Sequence, residues 1–185
     1  MDLSFRHDPW FRSLPRSPKD EGRVARIVVR PAAGPPGTRE TPEEAEVSTD
    51  GLVGERWPVD PHSVDGGQVS LMNVHVLRAC AEGDDSRTVL SGDNLQVDLD
   101  LSEENLPVGT ELHVGSAVLR VSEVPHRPCG QFLERFGRLA AKRIARANRV
   151  GLRGRGVLCR VARPGRIRVG DAIRVERPPS PDPGS

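Results

Sequence analysis

Residues 111–124, ELHVGSAVLRVSEV, read as two short β-strands joined by a tight turn. From Glu111 to Val114 apolar and polar side chains alternate, as they do on a strand with one buried face. Gly115-Ser116 supplies the two-residue turn, and Ala117 to Val124 resumes the strand. This hairpin sets the pattern for the rest of the chain. Upstream, Leu95 to Leu101 (LQVDLDL) alternates in the same way, and Arg23 to Arg30 (RVARIVVR) is a β-rich first strand. A short strand is expected near Ala45 to Ser48, and another from Gln68 to Leu71. Downstream, Gly156 to Ala162 and Ala172 to Glu176 are strands, connected through Pro164-Gly165 and Val169-Gly170-Asp171.

Two helices interrupt this run. Asn73 suits the N-cap of a helix from Val74 to about Ala81, with Leu77, Cys80 and Ala81 on one face. Residues 131–147 carry apolar side chains at helical spacing (Phe132, Leu133, Phe136, Leu139, Ile144), with Arg138, Lys142, Arg143 and Arg146 on the polar side. About eight strands with inserted helices, and no regular alternation of strand and helix, predict a mainly β, mostly antiparallel, barrel-like domain. That domain spans residues 22–177, with an extended N-terminal segment over 1–21 and a disordered tail over 178–185.

The composition agrees. In 185 residues the hydrophobic fraction is 36%, aromatics are 3% and tyrosine is absent, so the core rests on Val, Leu, Ile and Ala. Nineteen glycines and seventeen prolines punctuate the strands. No apolar run approaches the roughly 20 residues that a membrane-spanning helix needs, and no signal-peptide stretch is present in residues 1–20. Three cysteines far apart in sequence make neither a disulfide framework nor a zinc spacing, which suits the reducing cytoplasm. A net charge of +1 conceals an asymmetry. Nine acidic residues and one basic residue lie between Cys80 and Val118, whereas Arg135 to Gly170 holds twelve basic residues and no acidic one. A basic face suits a phosphate-bearing ligand or a nucleic acid. The run lacks interleaved aromatics for base stacking, which argues against nucleic acid.

Chemistry concentrates at His126-Arg127-Pro128-Cys129-Gly130. Cys129 precedes the second helix, at the positive end of its backbone dipoles, with Arg127 beside it. Metal ligation, persulfide formation and nucleophilic attack all use a thiolate, and position alone does not choose among them. His126, three residues earlier, is placed to tune Cys129 or to act as acid or base. Cys80, on an apolar helix face, and Cys159, inside a strand, read as core. His62, His75 and His113 show no metal-ligand spacing. Gly92-Asp93-Asn94 opens a strand, where an asparagine can hydrogen-bond a ligand edge and backbone amides near glycine can approach a phosphate. The same three residues also make an ordinary turn.

In order, these stretches resemble the MOSC domain, named for the C-terminal domain of molybdenum cofactor sulfurases. The matching segments are GRVARIVVRP near the start, GLVGERW at 51–57, QVSLMN at 68–73 and SGDNLQVDLDL at 91–101. LPVGTELHVGSAVLRVSEVPHRPC at 106–129 and GVLCRVARPGRIRVGDAIRV at 156–175 complete the set. The resemblance implies a β-barrel-like fold whose reactive cysteine is Cys129, the molybdenum ligand in members that bind the metal. It places Asn94 near the cofactor, with Ser70 and Arg56 toward its pterin or phosphate end; Arg127, beside the thiol, is a further cofactor-binding candidate. The cofactor implied is the molybdenum cofactor rather than pyridoxal phosphate, and the activity is reduction of N-hydroxylated compounds. One departure is visible: the loop that often reads Gly-Asp-Arg is Gly54-Glu55-Arg56 here. With no ferredoxin-like cysteine cluster or flavin motif, electrons come from a separate donor protein. Two rivals stay open. One is a sulfur carrier that uses a Cys129 persulfide without metal, served by a sulfur-donor protein. The other is a non-catalytic module that binds nucleic acid or protein through the basic face at 135–168.

Overall fold

The computed structural model describes residues 9–56, 58 and 65–179. Ten strands run along it: β1 (Glu21–Ile27), β2 (Glu44–Ser48), β3 (Gly51–Leu52), β4 (Val69–Asn73), β5 (Leu95–Asp98), β6 (Glu111–Val114), β7 (Ala117–Val121), β8 (Val157–Arg163), β9 (Gly165–Arg168) and β10 (Ala172–Glu176). The helices are α1 (Pro9–Ser13), α2 (Val74–Cys80) and α3 (Gly130–Arg149), with a 3-10 turn over Asp85–Ser91.

Seven strands close a barrel in the order β1-β10-β6-β7-β8-β4-β5, and β3-β2-β9 form a small separate sheet. Closure pairs every barrel strand on both sides and removes the open edges that would recruit other chains. The hairpin at 111–124 forms as the sequence predicts, with β6 and β7 antiparallel from Glu111↔Arg120 to Val114↔Ala117. One barrel pairing is parallel, β4 with β5, because α2 and the 3-10 turn carry the chain back between these strands.

The barrel interior is aliphatic, as the composition requires. Val24, Ile27, Leu71, Leu95, Leu112, Leu119, Val121 and Ile173 are all buried in one cluster. A second cluster lies outside the barrel, where Met72 and the inner faces of α2 and α3 pack Leu77, Cys80, Phe132, Phe136, Ala140 and Ile144 together. Asn73 caps α2, accepting from the backbone amides of His75 and Val76 at 2.9 and 3.1 Å.

Several sequence expectations need correction. The segment over 1–21, read as extended, is helical at Pro9–Ser13, where Trp10 and Phe11 join Leu14 against the second cluster. The expected first strand over Arg23–Arg30 runs instead over Glu21–Ile27, with a single bridge at Val29 beyond it. The Leu95–Leu101 strand ends at Asp98. The region after Pro164, read as a connection, contains β9, which leaves the barrel to pair with β2. The long helix predicted over 131–147 is present but broken at Gly137, whose φ of 81° lies in the left-handed region. Trp57 and His62 lie outside the described residues, as do 180–185 of the tail. Among the described residues, no helix is long and apolar enough to cross a membrane.

Candidate functional site

Cys129 is the N-cap residue of α3, and its side chain makes no capping hydrogen bond. It is exposed, whereas Cys80 and Cys159 are buried and free. Burial pushes both of those thiols up to about 12, which removes them from thiolate chemistry. The break at Gly137 leaves only Gly130–Phe136 in line behind Cys129. The dipole it feels is therefore that of a short helix, not of twenty residues. Arg127 is exposed on the same loop.

His126 joins this loop to the Gly92-Asp93-Asn94 motif. Its Nε2 lies 3.7 Å from Asp93 Oδ1. The Asn148 side-chain amide donates to the His126 carbonyl at 2.8 Å and fixes the loop backbone against the end of α3. The imidazole is 13% exposed, and its Nδ1 is buried with no hydrogen-bond partner. Burial, reinforced by the Arg155 guanidinium, pushes its pKa down to about 3 in spite of Asp93. His126 is thus neutral at physiological pH and offers a hydrogen-bonding nitrogen rather than a positive charge.

Beneath it, Asp93 and Arg155 form a fully buried ion pair. Arg155 Nη1 donates to both Asp93 carboxylate oxygens at 2.7 and 2.6 Å, and the guanidinium carbon lies 5.1 Å from the Phe132 ring centroid. Burial, the largest single influence, drives the Asp93 carboxyl upward, but the Arg155 guanidinium and the hydrogen bonds from Arg155 and Ser91, with His126, together hold it below the usual carboxylate range. Among the described residues this is the one ion pair that links the acidic segment 80–118 to the basic segment 135–170. Of the other basic residues, Arg135 and Arg153 donate to the Leu90 and Leu106 carbonyls at 2.8 and 2.6 Å, and Arg160 pairs with Asp65 and Glu123.

Asn94 anchors the other side of the motif. Its Oδ1 accepts from the Ser70 amide and hydroxyl at 3.0 and 3.2 Å, and its Nδ2 donates to Glu55 Oε2 at 2.9 Å. Glu55, the residue that departs from the family pattern, is buried at the centre of this group. It takes the Arg30 backbone amide at 2.9 Å and lies 2.8 Å from Arg30 Nε. Arg56 turns away, its Nη2 donating to the carbonyls of Pro31 and Gly34 at 2.9 and 2.5 Å, and so braces the loop that follows β1.

Beside Gly92 the positive charge collects. A Cβ at Gly92 would meet Arg30 Cδ at 3.4 Å and Arg39 Nη2 at 3.6 Å. Arg39 is half-buried, and its Nε has no hydrogen-bond partner. Its pKa is lowered by burial first, then by Arg135 and Arg30, with Glu55 the opposing carboxylate and Arg56 a further cation. Several guanidiniums gathered around one carboxylate and a glycine-lined turn make a setting for an anion. The structure therefore joins Ser70, Asn94 and His126 to one polar cluster, through Glu55 on one side and Asp93 on the other. It uses Arg56 as a brace. Arg30, Arg39 and Arg155 were not picked out by sequence reasoning, and Glu55 was marked only as a departure from the family pattern. Arg39 sits in a Pro/Gly loop with no motif around it, and the others are assembled by barrel closure.

The comparisons with known proteins agree with this architecture. The family model for the MOSC domain matches residues 59–174. The chain belongs to the MOSC domain family. Among solved structures, the YuaD protein of Bacillus subtilis superposes with a TM-score of 0.60 at 19% identity, covering 84% of this chain and 95% of that one. YiiM of Escherichia coli gives 0.56 at 19% identity, covering 86% and 72%. YiiM of Geobacillus stearothermophilus gives 0.54 at 16% identity, covering 84% and 75%. At these identities the structural likeness concerns the MOSC fold alone. No curated protein sequence matches significantly.

Proposed function

We propose that this MOSC protein binds the molybdenum cofactor, with Cys129 as the protein ligand of the metal, and reduces N-hydroxylated compounds. The observation that carries the reading is the 3.7 Å approach of His126 to Asp93. It brings the loop of the exposed thiol to a motif whose other flank is lined by Arg30 and Arg39. A soft thiolate suits a metal already ligated by sulfur, and half-buried arginines suit a phosphate. The residues present fit such a cofactor: the solvent-exposed thiol supplies the ligand, and the orphaned Arg39 Nε adds a donor on the anion side.

When bound, the cofactor supplies the two-electron chemistry by which an N-hydroxyl compound, two electrons and two protons become the N–H compound and water. The chain itself orients and excludes. Asn94, held by Ser70 and Glu55, keeps the turn after Gly92 rigid. Arg39, with Arg135 close by, would hold the cofactor's anionic end. His126, neutral and packed against Asp93, holds the Cys129 loop in position. Electrons come from a separate donor protein.

The test is reduction of an N-hydroxylated base, with a chemically reduced dye as donor, by protein made in a host that synthesises the cofactor. Activity that disappears in Cys129→Ala supports the reading. An inactive wild type whose Cys129 carries an added sulfur by mass spectrometry overturns it in favour of a sulfur carrier.

A further inference from the structure

Glu111 and Glu176 stand directly opposite each other on the neighbouring antiparallel strands β6 and β10. Like charges in that register repel. Strand alternation puts His113, two residues on from Glu111, on the same face of the barrel wall. Its Nε2 lies 3.0 Å from Glu176 Oε2 and 3.9 Å from Glu111 Oε2. The three donor atoms all fall within 4.8 Å of one another. Arg120, opposite Glu111 on β7, donates from Nε and Nη2 to Glu111 Oε1 at 3.1 and 2.5 Å, which leaves Oε2 on the side of the imidazole. The other nearby cation, Arg174, lies opposite His113 in register and reaches to 4.0 Å from Glu21. Arg120 and Arg174 therefore share this face with the two carboxylates and the imidazole, Arg120 bound to Glu111 Oε1 and Arg174 turned toward Glu21.

We propose that Glu111, His113 and Glu176 form a site for a divalent transition-metal ion of the zinc type, clamping the last barrel strand, β10, to β6. Tetrahedral zinc with ligands at about 2.0–2.2 Å holds them roughly 3.3–3.6 Å apart, between the two separations measured from His113. Small side-chain rotations bring all three donors to that spacing, because the strand register already fixes their Cα positions. One imidazole and two carboxylates suit Zn2+, Co2+ or Ni2+ rather than a thiophilic ion. Three protein ligands leave a position for water, and side-chain exposures of 28% for Glu111, 36% for His113 and 71% for Glu176 give the ion access from solvent. The donors come from strands whose sequence distance, Glu111-x-His113 and then Glu176, conceals the cluster in a linear reading. The site does not involve Cys129 and stands whether or not the cofactor reading does.

Calorimetric titration with zinc chloride tests it, with Cys129→Ser in every sample so that the exposed thiol does not compete. The parent takes up one Zn2+ per chain, and zinc raises its melting temperature. His113→Gln and Glu176→Gln each weaken uptake at least tenfold and abolish the thermal shift, while circular dichroism shows the barrel retained. No uptake by the parent, or equal uptake by a folded His113→Gln or Glu176→Gln variant, overturns the proposal.

Discussion

At the scale of single residues, the site is governed by what burial does to charge. A buried ion pair such as Asp93 with Arg155 gains little net stability over an apolar pair, but losing one partner strands the other and costs about 3–5 kcal/mol. The pair fixes the floor on which His126 rests. The histidine gives a distinct signature in pH. Its folded-state pKa is pushed down to about 3, below the roughly 6.5 of an unfolded chain, so the unfolded state takes up the proton first. The stability that neutral His126 contributes is complete above about pH 6.5 and is lost as pH falls toward the folded value, at about 1.4 kcal/mol per pH unit. Urea unfolding at a series of pH values reads this directly. His126→Gln flattens the slope between about pH 6.5 and 5, a window above the range of most carboxylates. An unchanged slope in the variant contradicts the assignment. Cys129 and His126 were both legible in the sequence, because each sits in a short motif before a helix. Arg39 and Glu55 were not, since what marks them is an orphaned Nε in one case and a buried carboxylate in the other, and both arise only on folding.

At the scale of elements, strand pairing decides what tolerates change. Gly156 precedes β8 with φ of +89°, and a Cβ there would lie 1.9 Å from the Leu71 carbonyl oxygen of β4. Gly156→Ala therefore strains the backbone and drives the β4–β8 pairing apart, and chemical denaturation is expected to show a loss of more than about 2 kcal/mol. A loss below about 0.5 kcal/mol contradicts this view of the junction. The β6–β7 hairpin and the Asn73-capped α2 were legible because their signals are local: alternation, a turn pair, a cap. The break in α3 was not, because Gly137 lies within an unbroken helical pattern and only its left-handed φ reveals it. β9 stayed hidden for a different reason. GRIR is too short to show a period, and its partner β2 lies far upstream in the sequence.

At the scale of the whole molecule, the barrel brings distant segments into one place. The link between the 3-10 turn and β5 supplies Asp93 and Asn94, β4 supplies Ser70, the loop after β3 supplies Glu55, and the entry to β8 supplies Arg155. α3 lies outside the barrel with its apolar face on the second cluster, and this fixes where Cys129 emerges. The fold class was legible from strand count and punctuation, and the family from the order of its motifs. The arginine group and the metal triad were not, because each is made by barrel closure and no sequence window contains it. The central claim is that Cys129 holds molybdenum. Metal analysis of protein purified from a cofactor-making host, wild type beside Cys129→Ala, tests it most directly. The account predicts close to one molybdenum per chain in the wild type and almost none in the variant. Molybdenum absent from both, or retained equally by Cys129→Ala, would contradict it.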